Sequence, residues 1–148
     1  MKEILVAVDG SKYSKKIVKY ACELAKSRDA RIALLYVANI PSTQTGGYIE
    51  YARAERFPDA YAIYLQSIGQ SVITEFGDLI KREGIAYEAF VRRGNSTNQI
   101  IETARLRKVI MIVVGLRGLH GVGRIRALGS VARRVLENAP CPVVIVPV

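Results

Sequence analysis

Apolar residues in this chain fall into short runs separated by amphipathic stretches, and the two patterns alternate from one end to the other. Ile4–Val8, Arg31–Val37, Tyr87–Val91, Val109–Val114 and Val143–Val146 are the runs, rich in Val, Ile and Leu as strands of a parallel sheet are. Between them apolar residues recur at helical spacing. Ile17, Ala21, Leu24 and Ala25 share one face of a helix that Ser11 or Ser14 can cap and that reaches about Ser27. Leu65, Ile68, Val72, Phe76, Leu79 and Ile80 mark a second helix, opened by Asp59 and stopped at Gly84. Ser96 and Gln99 form a capping box for a third, running to about Leu106, and Val131–Asn138 is a fourth. The prediction is one doubly wound α/β domain over residues 1–148, a five-stranded parallel sheet with helices on both faces. Right-handed crossovers favour the strand order 3-2-1-4-5, with a switch point beside the first strand where ligands bind. That order brings Asp9 beside Gly115. The long segment Ala38–Pro58, with Pro41, Gly46 and Gly47, is predicted to be irregular, and loops of that length are usually functional or disordered.

The stretch Val113–Val131, VVGLRGLHGVGRIRALGSV, has a chemistry that suits an anion. A buried strand ends at Gly115; Gly118, Gly121 and Gly123 let backbone amides approach a ligand; Gly129-Ser130 sits where a helix begins and its free amides and dipole favour negative charge. Arg117, Arg124 and Arg126 add positive charge, and no acid occurs between Glu102 and Glu137. The plainer alternative is a surface loop with solvated arginines. Neither a GxGxxG nor a GxxxxGK(S/T) pattern is present, because Arg126 stands where a third glycine is required.

Composition narrows the partners. With 148 residues, half of them hydrophobic, the chain can bury a proper core, and no apolar stretch approaches the roughly 18 residues of a membrane helix. A cytoplasmic protein with no membrane partner is expected. Cys22 and Cys141 lack metal-ligand or redox spacing and are expected to be reduced structural thiols. His120 is the sole histidine, which leaves little for a catalytic triad or a histidine metal site. The net charge of +9 favours anionic partners, yet the eight basic residues from Arg105 to Arg134 have no aromatic among them, so no specific nucleic-acid partner is expected.

The residues at the two ends of the chain resemble the universal stress protein family. The resemblance begins at ILVAVDGS, Ile4 to Ser11, is strongest from Val113 to Pro147, and covers nearly the whole chain. ATP-binding members share a G-x2-G-x9-G-S/T pattern; here Gly115 and Gly118 are followed by ten residues and then Gly129-Ser130, one residue more than the pattern. Arg117 stands where the family often has His, and Ile110 where it often has Asp. The resemblance implies that Val8 and Asp9 line the adenine and ribose side and that Val37 meets adenine through its backbone. Gly115 and Gly118 would pass beneath ribose and phosphates, and Gly129, Ser130 and Val131 would hold the phosphates. The implied ligand is ATP, ADP or AMP, with Asp9 placed to meet a phosphate-bound Mg²⁺. Residue by residue there are alternatives: Asp9 and Ser130 as simple helix caps, Val37 as a strand-end core residue, and Tyr48, Tyr51, Tyr61 and Tyr64 as packing for the long segment.

The function expected is that of a nucleotide-binding stress protein using ATP as a regulatory or stabilising ligand with little or no hydrolysis, since no general base is identifiable beside the loop. The alternative is a dimeric interaction module that binds no nucleotide, supported by the lengthened loop. A homodimer is expected through Val143–Val146, an apolar strand at the sheet edge, and the resemblance implies the same.

Overall fold

The computed structural model describes residues 1–39, 56, 58–118 and 128–147. Among them the chain forms β1 (Glu3–Val8), α1 (Ser14–Arg28), β2 (Arg31–Ala38), α2 (Pro58–Arg82) and β3 (Tyr87–Arg93), then α3 (Ser96–Arg107), β4 (Met111–Gly115), α4 (Ser130–Asn138) and β5 (Val143–Val146). Every strand pairing is parallel, and the order is β3-β2-β1-β4-β5, as the crossover argument expects.

Period-two alternation divides the core into two layers. Ile4, Val6, Ile32, Leu34, Tyr36, Met111 and Val113 join α1 and α2 through Ile17, Val18, Phe76 and Ile80. Leu5, Ala33, Leu35, Ile112 and Val114 join α3 and α4 through Ile100, Ile101, Ala104, Ala132 and Val135. Each fully buried aliphatic side chain contributes about 1.5–3 kcal/mol, so the central strands must be apolar on both faces. Helix α2 comes close to the sheet at two buried glycines. A Cβ added to Gly69 would lie 2.7 Å from the Tyr36 ring, and one added to Gly77 would lie 2.7 Å from the Tyr87 hydroxyl oxygen. Glycine costs a helix interior about 1 kcal/mol, so these two positions trade propensity for close packing of tyrosines.

Several helix ends differ from their sequence prediction. The N-cap of α1 is Tyr13, which makes no side-chain capping bond; Ser11 acts from outside, its hydroxyl oxygen accepting the Tyr13 N–H at 3.3 Å. The N-cap of α3 is Asn95 rather than Ser96: Asn95 is still extended, and its Oδ1 accepts the Asn98 N–H at 3.0 Å. Asp59 lies inside the first turn of α2, which starts at Pro58. Strand β4 starts at Met111 because Lys108 closes α3 in the left-handed region (φ 52°) and the Val109 N–H turns back to the Ala104 carbonyl at 3.2 Å. Of the segment predicted to be irregular, Ala38 belongs to β2 and Pro58 to α2; Pro41, Gly46, Gly47, Tyr48 and Tyr51 lie outside the described residues.

At the amino ends of the strands the sheet is closed by charge. Glu3 is buried, and Arg107 binds it in two-pronged fashion, Nε to Oε1 at 2.6 Å and Nη2 to Oε2 at 2.8 Å. Arg31 approaches the same carboxylate at 2.9 Å, and both arginines reach Glu88 Oε2, at 3.1 Å and 2.6 Å. The Arg107 guanidinium also lies 4.6 Å from the centre of the Phe90 ring. Three strands and the end of α3 are thereby joined. Cys22 and Cys141 are both free. No helix among the described residues is long and apolar enough to cross a membrane.

Candidate functional site

At the opposite end, the carboxyl ends of β1, β2 and β4 open into a cavity of about 450 Å³. Clefts outside the carboxyl ends of parallel strands, at a switch in strand order, are where open α/β sheets bind ligands. Val8, Asp9, Val37, Gly115, Gly118, Gly129, Ser130 and Val131 all line it. The topology thus brings together residues that the chain separates by more than a hundred positions.

Asp9 is the only acidic residue among the described residues that line the cavity. Its Oδ1 accepts the Ser11 N–H at 2.9 Å and the Ser14 hydroxyl at 3.4 Å, which fixes the turn from β1 into α1. The other oxygen faces Gly118, where a Cβ would collide with it. Asp9 therefore meets the glycine loop at Gly118, and it also does the turn-forming work of a local cap. The glycines have close neighbours of their own. A Cβ on Gly115 would come within 2.6 Å of Ile17, and one on Gly129 within 3.0 Å of the Leu116 carbonyl oxygen. The Gly129 N–H donates to that carbonyl at 2.8 Å, pinching the loop at its base.

Gly129 is the N-cap of α4, with no side-chain capping bond and no acid in the first turn. The amides of Ser130, Val131 and Ala132 have no partner within the helix by construction, and all three residues border the cavity together with Arg117 and Arg134. An anion placed there meets orphan N–H donors, a hydroxyl, the positive end of a helix and nearby guanidinium groups.

The opposite wall is aromatic and apolar, and sequence reasoning missed most of it. Tyr36, Tyr61, Tyr64, Leu65, Ile68 and Val72 line that side. Tyr61 and Tyr64, expected to pack the long segment, stand with ring centres 6.3 Å apart. Tyr36 is 4% exposed, and burial, then the charge of Asp9 and then Tyr61 and Tyr64, push its phenol above the usual range. Asn39, Asn95, Ser96 and Thr97 also border the cavity. They follow the ends of β2 and β3, and the carboxyl-end rule applied to every strand would have found them. His120, Gly121, Gly123, Arg124 and Arg126 lie outside the described residues. Among the described residues, no group of three or more His, Cys, Asp or Glu could hold a metal.

A five-stranded parallel sheet in this order, with a glycine-rimmed cavity over β1 and β4, is a doubly wound α/β architecture with its cleft at the switch in strand order. The chain belongs to the universal stress protein family, whose model matches residues 1–147. It is 33% identical to Universal stress protein MJ0531 of Methanocaldococcus jannaschii over 98% of this chain and 81% of that one. To Universal stress protein YxiE of Bacillus subtilis it is 31% identical, over 97% of each. Among solved structures it is similar to the protein MJ0577, with a TM-score of 0.82 at 20% identity, covering 99% of this chain and 96% of that one. It is also similar to a universal stress protein in complex with cAMP, with a TM-score of 0.66 at 26% identity over 98% and 96% of the two chains. An Arabidopsis thaliana family protein with AMP bound shares the fold, with a TM-score of 0.68 at 18% identity over 99% and 92%.

Proposed function

We propose that this cavity binds an adenine nucleotide, ATP, ADP or AMP, as a regulatory or stabilising ligand with little or no hydrolysis, in a cytoplasmic protein. One observation carries the proposal: the start of α4, the glycines after β4 and Asp9 after β1 border one cavity. The cAMP complex of a 26% identical relative supports an adenine nucleotide in particular. In this reading the phosphates lie on the amides of Gly129, Ser130 and Val131, with Gly115 and Gly118 beneath. Val8, Asp9 and Val37 take the ribose and base. Asp9 is a single carboxylate, so a Mg²⁺ would be held chiefly by phosphate oxygens and water, as that ion commonly is. Asp9 Oδ1 is engaged by Ser11 and Ser14, which supports slow hydrolysis rather than base catalysis. Calorimetric titration with ATP, ADP and AMP tests the binding, and phosphate release tests turnover. Micromolar binding with turnover far below the roughly 1–100 per second of kinases is expected. Absence of binding to all three would overturn the proposal.

The same reading includes a homodimer through Val143–Val146. Among the described residues, strand β5 pairs only with β4 and forms the sheet edge, with Val143, Val144 and Ile145 half-buried. An apolar edge of this kind is covered when two copies pair antiparallel about a two-fold axis. Light scattering at micromolar concentration should give twice the chain mass, and Val144→Lys should give a monomer. Val146, in contrast, is 3% exposed and belongs to the core.

A further inference from the structure

Tyr36 stands apart from the other residues around the cavity because the fold is shaped to seat it. Its ring occupies the space left by Gly69 in the middle of α2, where any Cβ would approach within 2.7 Å of Cδ1 and 3.0 Å of Cε1 and of Val91 Cγ1. The residue is 96% withdrawn from solvent and yet borders the cavity, and Asp9, Tyr61 and Tyr64, which border it too, are near enough to act on its phenol. Its register partner on β1 is Val8, which puts Asp9 next along. A rigidly held phenol beside a carboxylate is a specific chemical environment. The phenol both donates and accepts, while an ionised carboxylate only accepts. A phosphate is disfavoured next to Asp9 by like charge, whereas a sugar hydroxyl can donate to one group and accept from the other. A phenol keeps its proton at neutral pH, and burial of Tyr36 acts in the same direction, so its donor is present.

We infer that Tyr36 is a specificity-determining residue that, with Asp9, recognises a ribose hydroxyl of the bound nucleotide and so favours ribonucleotides over their deoxy forms. The inference rests on the nucleotide reading above and assigns the sugar contact to a residue outside the glycine pattern.

The test is calorimetric titration of wild-type protein and Tyr36→Phe with ATP, 2′-deoxy-ATP and 3′-deoxy-ATP. Phenylalanine keeps the ring in the Gly69 seat, and thermal melting verifies that the fold is intact. The wild type should bind ATP more tightly than at least one deoxy analogue. In Tyr36→Phe that preference should shrink by about three- to tenfold, the size of one neutral hydrogen bond, while affinity for the disfavoured analogue stays nearly constant. An equal loss of affinity for all three ligands would mark Tyr36 as structural and overturn the inference. So would a wild type that does not distinguish the three, although the nucleotide proposal would survive both results. A wild type that binds none of them overturns that proposal and this inference with it.

Discussion

The two ends of one sheet are finished in opposite ways. At the amino end, Glu3, Arg31, Arg107 and Glu88 neutralise one another, and Arg107 also covers Phe90, so a buried carboxylate is fully partnered. At the carboxyl end, glycines let the loop backbone pack closely against Ile17, Asp9 and the Leu116 carbonyl, and a cavity remains beside them with the first-turn amides of α4 at its rim. The first-turn amides of α4 at that rim suit an anion, because a helix start carries N–H donors with no partner inside the helix and the positive end of the dipole. Stability is concentrated where the charges close the sheet, and binding is expected where the glycines leave it open.

The comparison can be broken most forcefully at its closed end. Arg107→Met removes the two-pronged partner of a carboxylate that is 8% exposed. Leaving a buried charge short of a partner costs about 3–5 kcal/mol in full burial, and Arg107's own 25% exposure reduces the expected loss to about 2–4 kcal/mol in urea unfolding. Nucleotide affinity should be unchanged. A variant of wild-type stability would mean that Arg31 alone satisfies Glu3.

Gly69→Ala is the next largest. Alanine favours a helix over glycine by about 1 kcal/mol, but overpacking against Tyr36 costs about 1–3 kcal/mol, so a net loss of about 1 kcal/mol is expected. Thermal melting checks the sign, and a gain in stability would show that the ring can move aside.

Ser130→Ala acts on the open end alone. Ser130 is exposed and caps nothing, so the melting temperature should hold while affinity for ATP falls by about 1.5–3 kcal/mol, the range of a hydrogen bond to a charged group. Equal affinity in titration would place the phosphates elsewhere.

The smallest effect concerns alkali. Burial pushes the Cys22 thiol up to about 11, whereas the unfolded thiol ionises near its ordinary value of 9.0. The folded state therefore holds a proton that the unfolded state has lost. Stability from this group is complete below pH 9 and declines as pH rises from there to 11. Urea midpoints over that window should fall less steeply in Cys22→Ala than in wild type.

Much of the fold is legible in the sequence because parallel strands covered on both faces must be apolar throughout, as Arg31–Val37 is after its first residue. The strand order followed from crossover handedness, and the glycines at 115, 118 and 129 marked one rim of the cavity. Other features leave little local signal. The Glu3–Arg107 pair joins residues 104 apart, and such pairing is visible only once the strands are placed. Tyr36 reads as one more apolar position in a buried strand until Gly69 is seen opposite it. Caps are ambiguous where two polar residues adjoin, so Asn95 rather than Ser96 holds the start of α3.

The claim that nucleotide binds at the open end is tested most directly by amide ¹H–¹⁵N chemical shifts during titration with ATP. Large shifts are expected at Asp9, Gly115, Gly118, Gly129, Ser130 and Val131, with the amides of Glu3, Arg31, Glu88 and Arg107 unmoved. Shifts centred on the amino end, or none at saturating ATP, would contradict a nucleotide site in this cavity.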